Sequence, residues 1–309
     1  MDLSRAIWNL KERIDNKTYR IHDYNVFTIF EPKKREIQAL KYSHRVVMHC
    51  LCDNYLMSVL ENRFIYDNAA CRKGKGTHFS LKRLTKFFHE YYRENGCEGW
   101  ILKADIRKYF PSINHEVLLS KLRKIVLDED IMSMIQMIIG SWNREEGKGI
   151  PMGNQTSQIF ALYYLDSIDR LIKEKFRIKY YTRYMDDMVL IHKDKAYLQE
   201  VLRYMRTECT ELKLELNEKT QIFPIKNGVE YLGWRFYLTQ NGKVIKKIRK
   251  QNKVKIKRRM IGLAKSYSEG RITMKDVQNS VASTRGHLKH GDEWHFWKGI
   301  CDRTKYEFR

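Results

Sequence analysis

Apolar and polar positions alternate along this chain in two periods. A period near 3.6 marks the segment from Asp53 to Asp67, with Leu56, Leu60 and Phe64 on one face. It returns from about Phe79 to Arg93, where Phe79, Leu81, Leu84, Phe87 and Phe88 form a core face. Further helical stretches run from Val117 to Ile139, from Gln158 to Phe176 and from Ala196 to Lys213. Met132, Met134 and Met137 in the first of these read as core fillers. Strand-like runs of β-branched, aromatic and apolar residues occupy Trp100–Ala104, Ile178–Arg183 and Met188–Ile191, and surround Gly233. Helices interleaved with strands around a central hairpin predict an α+β fold. With four prolines, no repeat and no low-complexity linker, the pattern predicts a chain compact throughout.

Chemistry concentrates where the strand pattern breaks. Tyr184-Met185-Asp186-Asp187 falls between two strand-like runs, so two adjacent carboxylates sit at a hairpin tip. Their repulsion needs an offset, and hard divalent cations take carboxylate oxygens. Asp105 follows the strand-like run Trp100–Ala104 and offers a third carboxylate. Between the acidic sites lies Ile150-Pro151-Met152-Gly153-Asn154-Gln155-Thr156-Ser157-Gln158, which neither a solvated hairpin nor an isolated turn aspartate explains. Paired metals serve in-line phosphoryl transfer.

Charge adds a partner class. The 309 residues carry 59 Lys and Arg against 37 Asp and Glu, a formal net charge of +22. Such an excess calls for a polyanion, and nucleic acid is the simplest. No long apolar run or signal-like start supports a membrane protein. From Lys243 to Lys265 there are eleven Lys or Arg and no acidic residue, among them Lys246, Lys247, Arg249, Lys250, Lys253, Lys255, Lys257, Arg258 and Arg259. Phosphate-backbone contact suits that density better than a solvated helical face. Six scattered cysteines without a Cys-x-x-Cys pair point to reduced thiols and a cytoplasmic setting.

Taken in order, these segments resemble a reverse transcriptase. The likeness is to the bacterial, group-II-intron-like branch, and most to the enzymes of diversity-generating retroelements. It extends from about Tyr19 to His290. Lys33-Lys34-Arg35-Glu36-Ile37 and Arg45-Val46-Val47 are similar to the first fingers motif, and Ala70–Thr77 to the second. Asp105–Ile113, Gly149–Gln158, Arg183–Asp187 and Leu214–Thr220 resemble the four palm motifs. Tyr231-Leu232-Gly233-Trp234 resembles the primer grip, and Gly286–His290 a thumb motif. The Gly-x-x-x-Ser-Gln form of Gly153–Gln158 is similar to the diversity-generating branch.

The resemblance implies a right-hand polymerase: fingers over residues 1–98, a palm of antiparallel sheet backed by helices over 99–240 with a helical fingers insertion at about 115–148, and a helical thumb over 241–309. It implies RNA-directed addition of dNTPs to a primer 3′-hydroxyl. Asp105, Asp186 and Asp187, with the Ile106 carbonyl, would hold two Mg²⁺ ions, or Mn²⁺ in their place, and Lys219 would protonate pyrophosphate. Lys34, Arg35, Arg72, Phe110, Met152, Gly153 and Gln158 would meet the nucleotide. Phe110 would be the gate against a ribose 2′-hydroxyl. Leu232, Gly233 and Trp234 would set the primer end, although Trp234 reads equally as core. Lys246, Lys247, Arg249, Lys250, Lys253, Lys257 and Arg258 would hold nucleic acid. Met152 stands where retroviral enzymes carry glutamine, which raises the expectation of an error-prone enzyme. The implied partners are template RNA, primer or cDNA, and a small accessory protein or structured RNA. Rival readings are a reverse-transcriptase-like phage-defence protein, an idle RNA-binding scaffold and an RNA-templated RNA polymerase. About seventy residues past the primer grip leave room for a thumb, but not for an RNase H, maturase or endonuclease domain.

Overall fold

The computed structural model describes residues 3–22, 24–30, 34–142 and 145–304. Lys33 of the first fingers motif lies outside them. Helix α1 (Leu3–Asp15) precedes an antiparallel hairpin, β1 (Asn25–Ile29) and β2 (Arg35–Ala39). Helices α2 (Tyr42–Leu51) and α3 (Met57–Leu60) follow, then the long α4 (Thr77–Asn95). Next come β3 (Trp100–Ala104), the single turn α5 (Tyr109–Ser112), α6 (His115–Arg123) and α7 (Glu129–Gly140). Helices α8 (Gln155–Tyr164) and α9 (Asp166–Arg170) lead into the hairpin β4 (Tyr180–Tyr184) and β5 (Asp187–His192). Then follow α10 (Lys195–Glu211), β6 (Gln221–Pro224), β7 (Val229–Tyr231), β8 (Trp234–Leu238) and β9 (Val244–Ile248). The chain closes with α11 (Lys250–Ser268), α12 (Met274–Leu288) and α13 (Trp294–Thr304).

The central sheet is antiparallel in the order β4-β5-β3-β6. Helices pack both its faces, because Leu102 and Leu190 join one apolar core while Ile101, Val189 and Ile191 join another. The α+β expectation therefore stands, with an antiparallel sheet flanked by helices.

Three expected elements are subdivided. The helix read over 53–67 is a π-turn (Cys52–Leu56), α3 and a short 3₁₀ turn, although Leu56, Leu60 and Phe64 are buried as expected. The stretch 117–139 is two helices. Asp128 breaks it, its carboxylate accepting a hydrogen bond from the Ile131 N–H as the cap of α7. The stretch 158–176 breaks at Leu165, whose φ of −92° and ψ of 9° end α8.

The basic segment after Lys243 also begins differently. Lys246 and Lys247 lie on β9, which pairs with β8 in the sheet β7-β8-β9, and the basic helix starts only at Lys250. Val244 and Ile248 pack into the second core, Lys246 between them shares their face and lies over the Trp234 ring, and Lys247 turns to the other face. The loop after α12 docks on the free edge of β9. There the Asp292 N–H donates to the Lys246 carbonyl, and Glu293 accepts from the Ile248 N–H at 2.7 Å. A Cβ on Gly291 would lie 2.2 Å from the Trp234 ring, so only glycine lets this loop close. Among the described residues, no helix is long and apolar enough to cross a membrane.

Candidate active site

Strand register brings the distant carboxylates together. β3 pairs with β5 so that Ala104 faces Met188, which sets Asp105 beside the β4–β5 turn. That turn has two residues, since Tyr184 pairs with Asp187, and Met185 takes a φ of 55°. A left-handed non-glycine residue is costly, so the surroundings must hold the tip.

Arg183 is the principal brace. It is fully buried and forms a two-point ion pair with the equally buried Asp169, through Nε at 2.8 Å and Nη2 at 2.5 Å. Nη2 also donates to the Leu162 carbonyl at 3.1 Å, and Nη1 to the Met185 carbonyl at 2.9 Å, within the tip itself. The Tyr181 hydroxyl donates to Asp169 at 2.6 Å. On the outer side, residues 67–69 add a short parallel pairing to β4: the Ala69 N–H bonds the Arg183 carbonyl, and the Arg183 N–H the Asp67 carbonyl. Such a buried pair costs desolvation, and its return here is one fixed position for the turn.

The Asp105 and Asp186 carboxyls lie close enough to act on each other. Burial, and then repulsion from Asp105, pushes the Asp186 carboxyl up to about 6. Asn217 clamps Asp105 twice, by its N–H to the Asp105 carbonyl at 2.7 Å and by Nδ2 to a carboxylate oxygen at 3.3 Å. It also accepts from the Lys219 N–H at 3.0 Å, so the loop carrying exposed Lys219 is tied to Asp105. Ile106 pairs with Leu216 in an isolated antiparallel bridge.

The expected three-carboxylate cage is not assembled. Asp187 is ion-paired with Lys103, and among the described residues no group of three His, Cys, Asp or Glu side chains could hold a metal. The cause is strand alternation: Lys103 lies two residues before Asp105, on the same face of the sheet, next to Asp187. Burial pulls the Lys103 ammonium down to about 7, against the opposing pull of Asp105. The Asp105–Asp186 pair itself fits a divalent cation, because the repulsion between two crowded carboxylates is relieved by one. Asp187 would join it only after leaving Lys103.

The other expected residues divide. Phe110 is half-buried at the palm surface, whereas its neighbour Tyr109 is the core residue, 2% exposed and donating to the Ala161 carbonyl. The Met152 N–H donates to the Gln38 side chain, and its carbonyl accepts from the Gln38 N–H. A Cβ on Gly153, whose φ is 130°, would lie 3.2 Å from the Gln38 carbonyl oxygen. The loop before α8 therefore lies against β2, whose first residue, Arg35, is exposed, as is Lys34 before it. Gln158 is half-buried in the first turns of α8. Leu232 and Gly233 form the two-residue β7–β8 turn with φ of 48° and 85°, the left-handed pair that a tight hairpin needs.

Two assignments change. Arg72 is buried, and its donors are engaged: Nε and Nη2 by Glu61, and Nη1 by the Ile65 and Asn68 carbonyls at 2.7 Å. It is a strut inside the fingers, with no fork left to offer a phosphate. Trp234 is core, 2% exposed, against the His287 ring. Among the basic residues, Lys246 lies over the Trp234 ring, Arg249 pairs with Glu230 at 3.0 Å, and Lys253 pairs with buried Glu293 at 2.6 Å. Lys247 is partly exposed on β9, and Lys250, Lys257 and Arg258 are exposed on α11.

Lys103 and Asp169 escape the sequence reading. Lys103 had a signal, since a lysine two residues before a strand-end aspartate must share its face. The signal for Asp169 is a carboxylate flanked by Ile168 and, beyond Arg170, Leu171 and Ile172 in a largely apolar helical stretch.

Known proteins are similar to this chain in sequence or in fold. Protein YkfC of Escherichia coli (strain K12) is 25% identical over 44% of this chain and 46% of its own length. The putative COX1/OXI3 intron 2 protein of Saccharomyces cerevisiae is 25% identical over 40% of this chain and 15% of its own length. This chain thus spans less than half the length of these curated relatives. Telomerase from Candida albicans, solved with a fragment of telomeric RNA, shares the fold with a TM-score of 0.54 at 11% identity, over 99% of this chain and 59% of that one. Apo telomerase from Candida tropicalis gives 0.53 at 12% identity, over 77% of this chain and 53% of that one. The profile described as reverse transcriptase (RNA-dependent DNA polymerase) matches residues 32–236, about two thirds of the sequence, and the chain belongs to that family.

Proposed function

We propose that this chain is an RNA-directed DNA polymerase that adds dNTPs to a primer 3′-hydroxyl. The observation that carries the reading is the contact between Asp105 and Asp186, 81 positions apart in sequence, at the end of a braced hairpin. Asp105 and Asp186, with the Ile106 carbonyl and a released Asp187, would hold Mg²⁺ or Mn²⁺. When bound, the metal lowers the pKa of the attacking hydroxyl and neutralises charge on the triphosphate. The protein's own part is positioning and electrostatics, as phosphoryl transfer requires.

Arg183 holds the turn that carries Asp186, through the Met185 carbonyl, and Asn217 holds Asp105. Phe110, half-buried five residues after Asp105, would supply the ring that crowds a ribose 2′-hydroxyl. Met152 and Gly153 lie against β2, so a nucleotide seated there would touch palm and fingers together. Lys34 and Arg35 are the exposed cations left for the triphosphate, and exposed Lys219 would give a proton to pyrophosphate. Leu232 and Gly233 would seat the primer end, and Lys250, Lys257 and Arg258 would follow its phosphates. The Ser157-Gln158 form supports a role in a diversity-generating retroelement, with template RNA and an accessory protein or structured RNA as partners. Met152 supports low fidelity.

Primer extension on RNA and DNA templates with dNTPs or NTPs tests this reading. Asp186→Asn should abolish extension, and Phe110→Ala should raise ribonucleotide incorporation. Extension by Asp186→Asn at the wild-type rate would overturn the assignment. Unchanged dNTP preference would remove Phe110 from the gate. Product sequencing measures fidelity.

A further inference from the structure

Lysine is among the residues least often buried unless paired, yet the Lys103 side chain is only 19% exposed and Asp187 beside it 24%. Carboxylates stand on one side of this ammonium: Asp105 from its own strand, and Asp186 and Asp187 from the β4–β5 hairpin. On another side stand Glu230 of β7 and Arg249 after β9, which are paired with each other at 3.0 Å. The Tyr231 ring lies 5.0 Å from the ammonium, and its hydroxyl is fixed by Ser80 at 2.6 Å. Lys103 therefore lies between the Tyr231 ring, beside the Leu232–Gly233 turn, and the acidic residues of the tip.

Of the three acidic residues it faces, Lys103 ion-pairs with Asp187, while Asp105 and Asp186 crowd each other. A residue kept only for packing would not need its charge against the one carboxylate that fails to converge. We propose that Lys103 is a positioning residue that holds Asp187 away from the Asp105–Asp186 pair and competes with a divalent cation for that carboxylate. The inference rests on the polymerase reading, since it assumes a metal at the acidic pair. In the free enzyme the ammonium takes the cation's place at Asp187, which limits charge repulsion at the tip. Loading the metal exchanges one positive partner of Asp187 for another.

Mn²⁺ binding to the full chain without nucleic acid, measured by calorimetry or water-proton relaxation, tests this directly. Lys103→Met removes the competitor and should tighten Mn²⁺ binding about tenfold. Lys103→Gln should do the same, and covers the case in which the methionine variant fails to fold. Lys103→Arg should stay close to wild type. In an Asp187→Asn background, Lys103→Met should change the affinity less than twofold, because the contested carboxylate is gone. Unchanged or weaker Mn²⁺ binding by both neutral variants overturns the inference. So does tightening that persists in full in the Asp187→Asn background. If the wild type binds Mn²⁺ and loses it on Asp105→Asn while the Lys103 variants change nothing, the metal site survives and the competition does not. If neither the wild type nor any variant binds Mn²⁺, both readings fail.

Discussion

The hairpin tip and helix α11 both carry charge, and they use it in opposite ways. At the tip, Arg183 and Asp169 are wholly buried and every nitrogen of the guanidinium has an acceptor, so the charge holds a geometry. On α11 Met260 is the buried residue, and Lys250, Lys257 and Arg258 are exposed, with Lys257 reaching over the Phe296 ring, so their charge is largely turned to solvent. Buried charge is specific because each group needs its own partner. Exposed charge acts as a field, available to any polyanion at a distance set by salt. A polymerase needs both, since the reacting atoms must be placed while the template sequence must not matter.

The largest break in that comparison is Asp169→Asn. It leaves the Arg183 cation buried without its counter-charge, and should cost about 3–5 kcal/mol of stability in chemical denaturation. A cost under about 1 kcal/mol would mean that the pair is solvated and the tip is not braced by it.

A second test uses pH. The folded pKa of Asp186, about 6, lies above the unfolded value. Its proton is thus held more tightly in the folded chain. The associated stability is complete below the unfolded pKa and is lost as pH rises through the folded one. Asp186→Asn removes that loss. In chelator, the variant should exceed wild type at pH 8 by on the order of 2 kcal/mol, with the gap closing toward pH 4. Melting curves across that range check it, and a gap that is flat in pH would show that Asp105 and Asp186 do not crowd each other.

The smallest effect on the folded protein belongs to α11. Changing Lys250, Lys257 and Arg258 to Gln should alter stability by no more than about 0.5 kcal/mol. The same change should lower the slope of log affinity for duplex against log salt by roughly 0.9 for each phosphate no longer neutralised. A fall in stability without any change in slope would place these residues with the tip rather than with the field.

Some of this was legible in the chain and some was not. Periodicity marked α4, because one buried face imposes its spacing, and near-continuous apolar runs marked β3, β4 and β5, which are buried on both faces. The acidic positions stood out because adjacent carboxylates at a turn are costly without a purpose. Periodicity could not separate a long helix from two capped ones, as Asp128 shows, nor a basic helix from the strand that holds Lys246 and Lys247. It could not tell the strut Arg72 from an exposed arginine, since a guanidinium reads the same whether Glu61 or solvent surrounds it. The sequence by itself determined which residue types were available and in what order. Only the tertiary structure decided which charges meet, giving Asp186 to Asp105 and Asp187 to Lys103, because electrostatic pairing depends on distance and burial that strand register alone supplies.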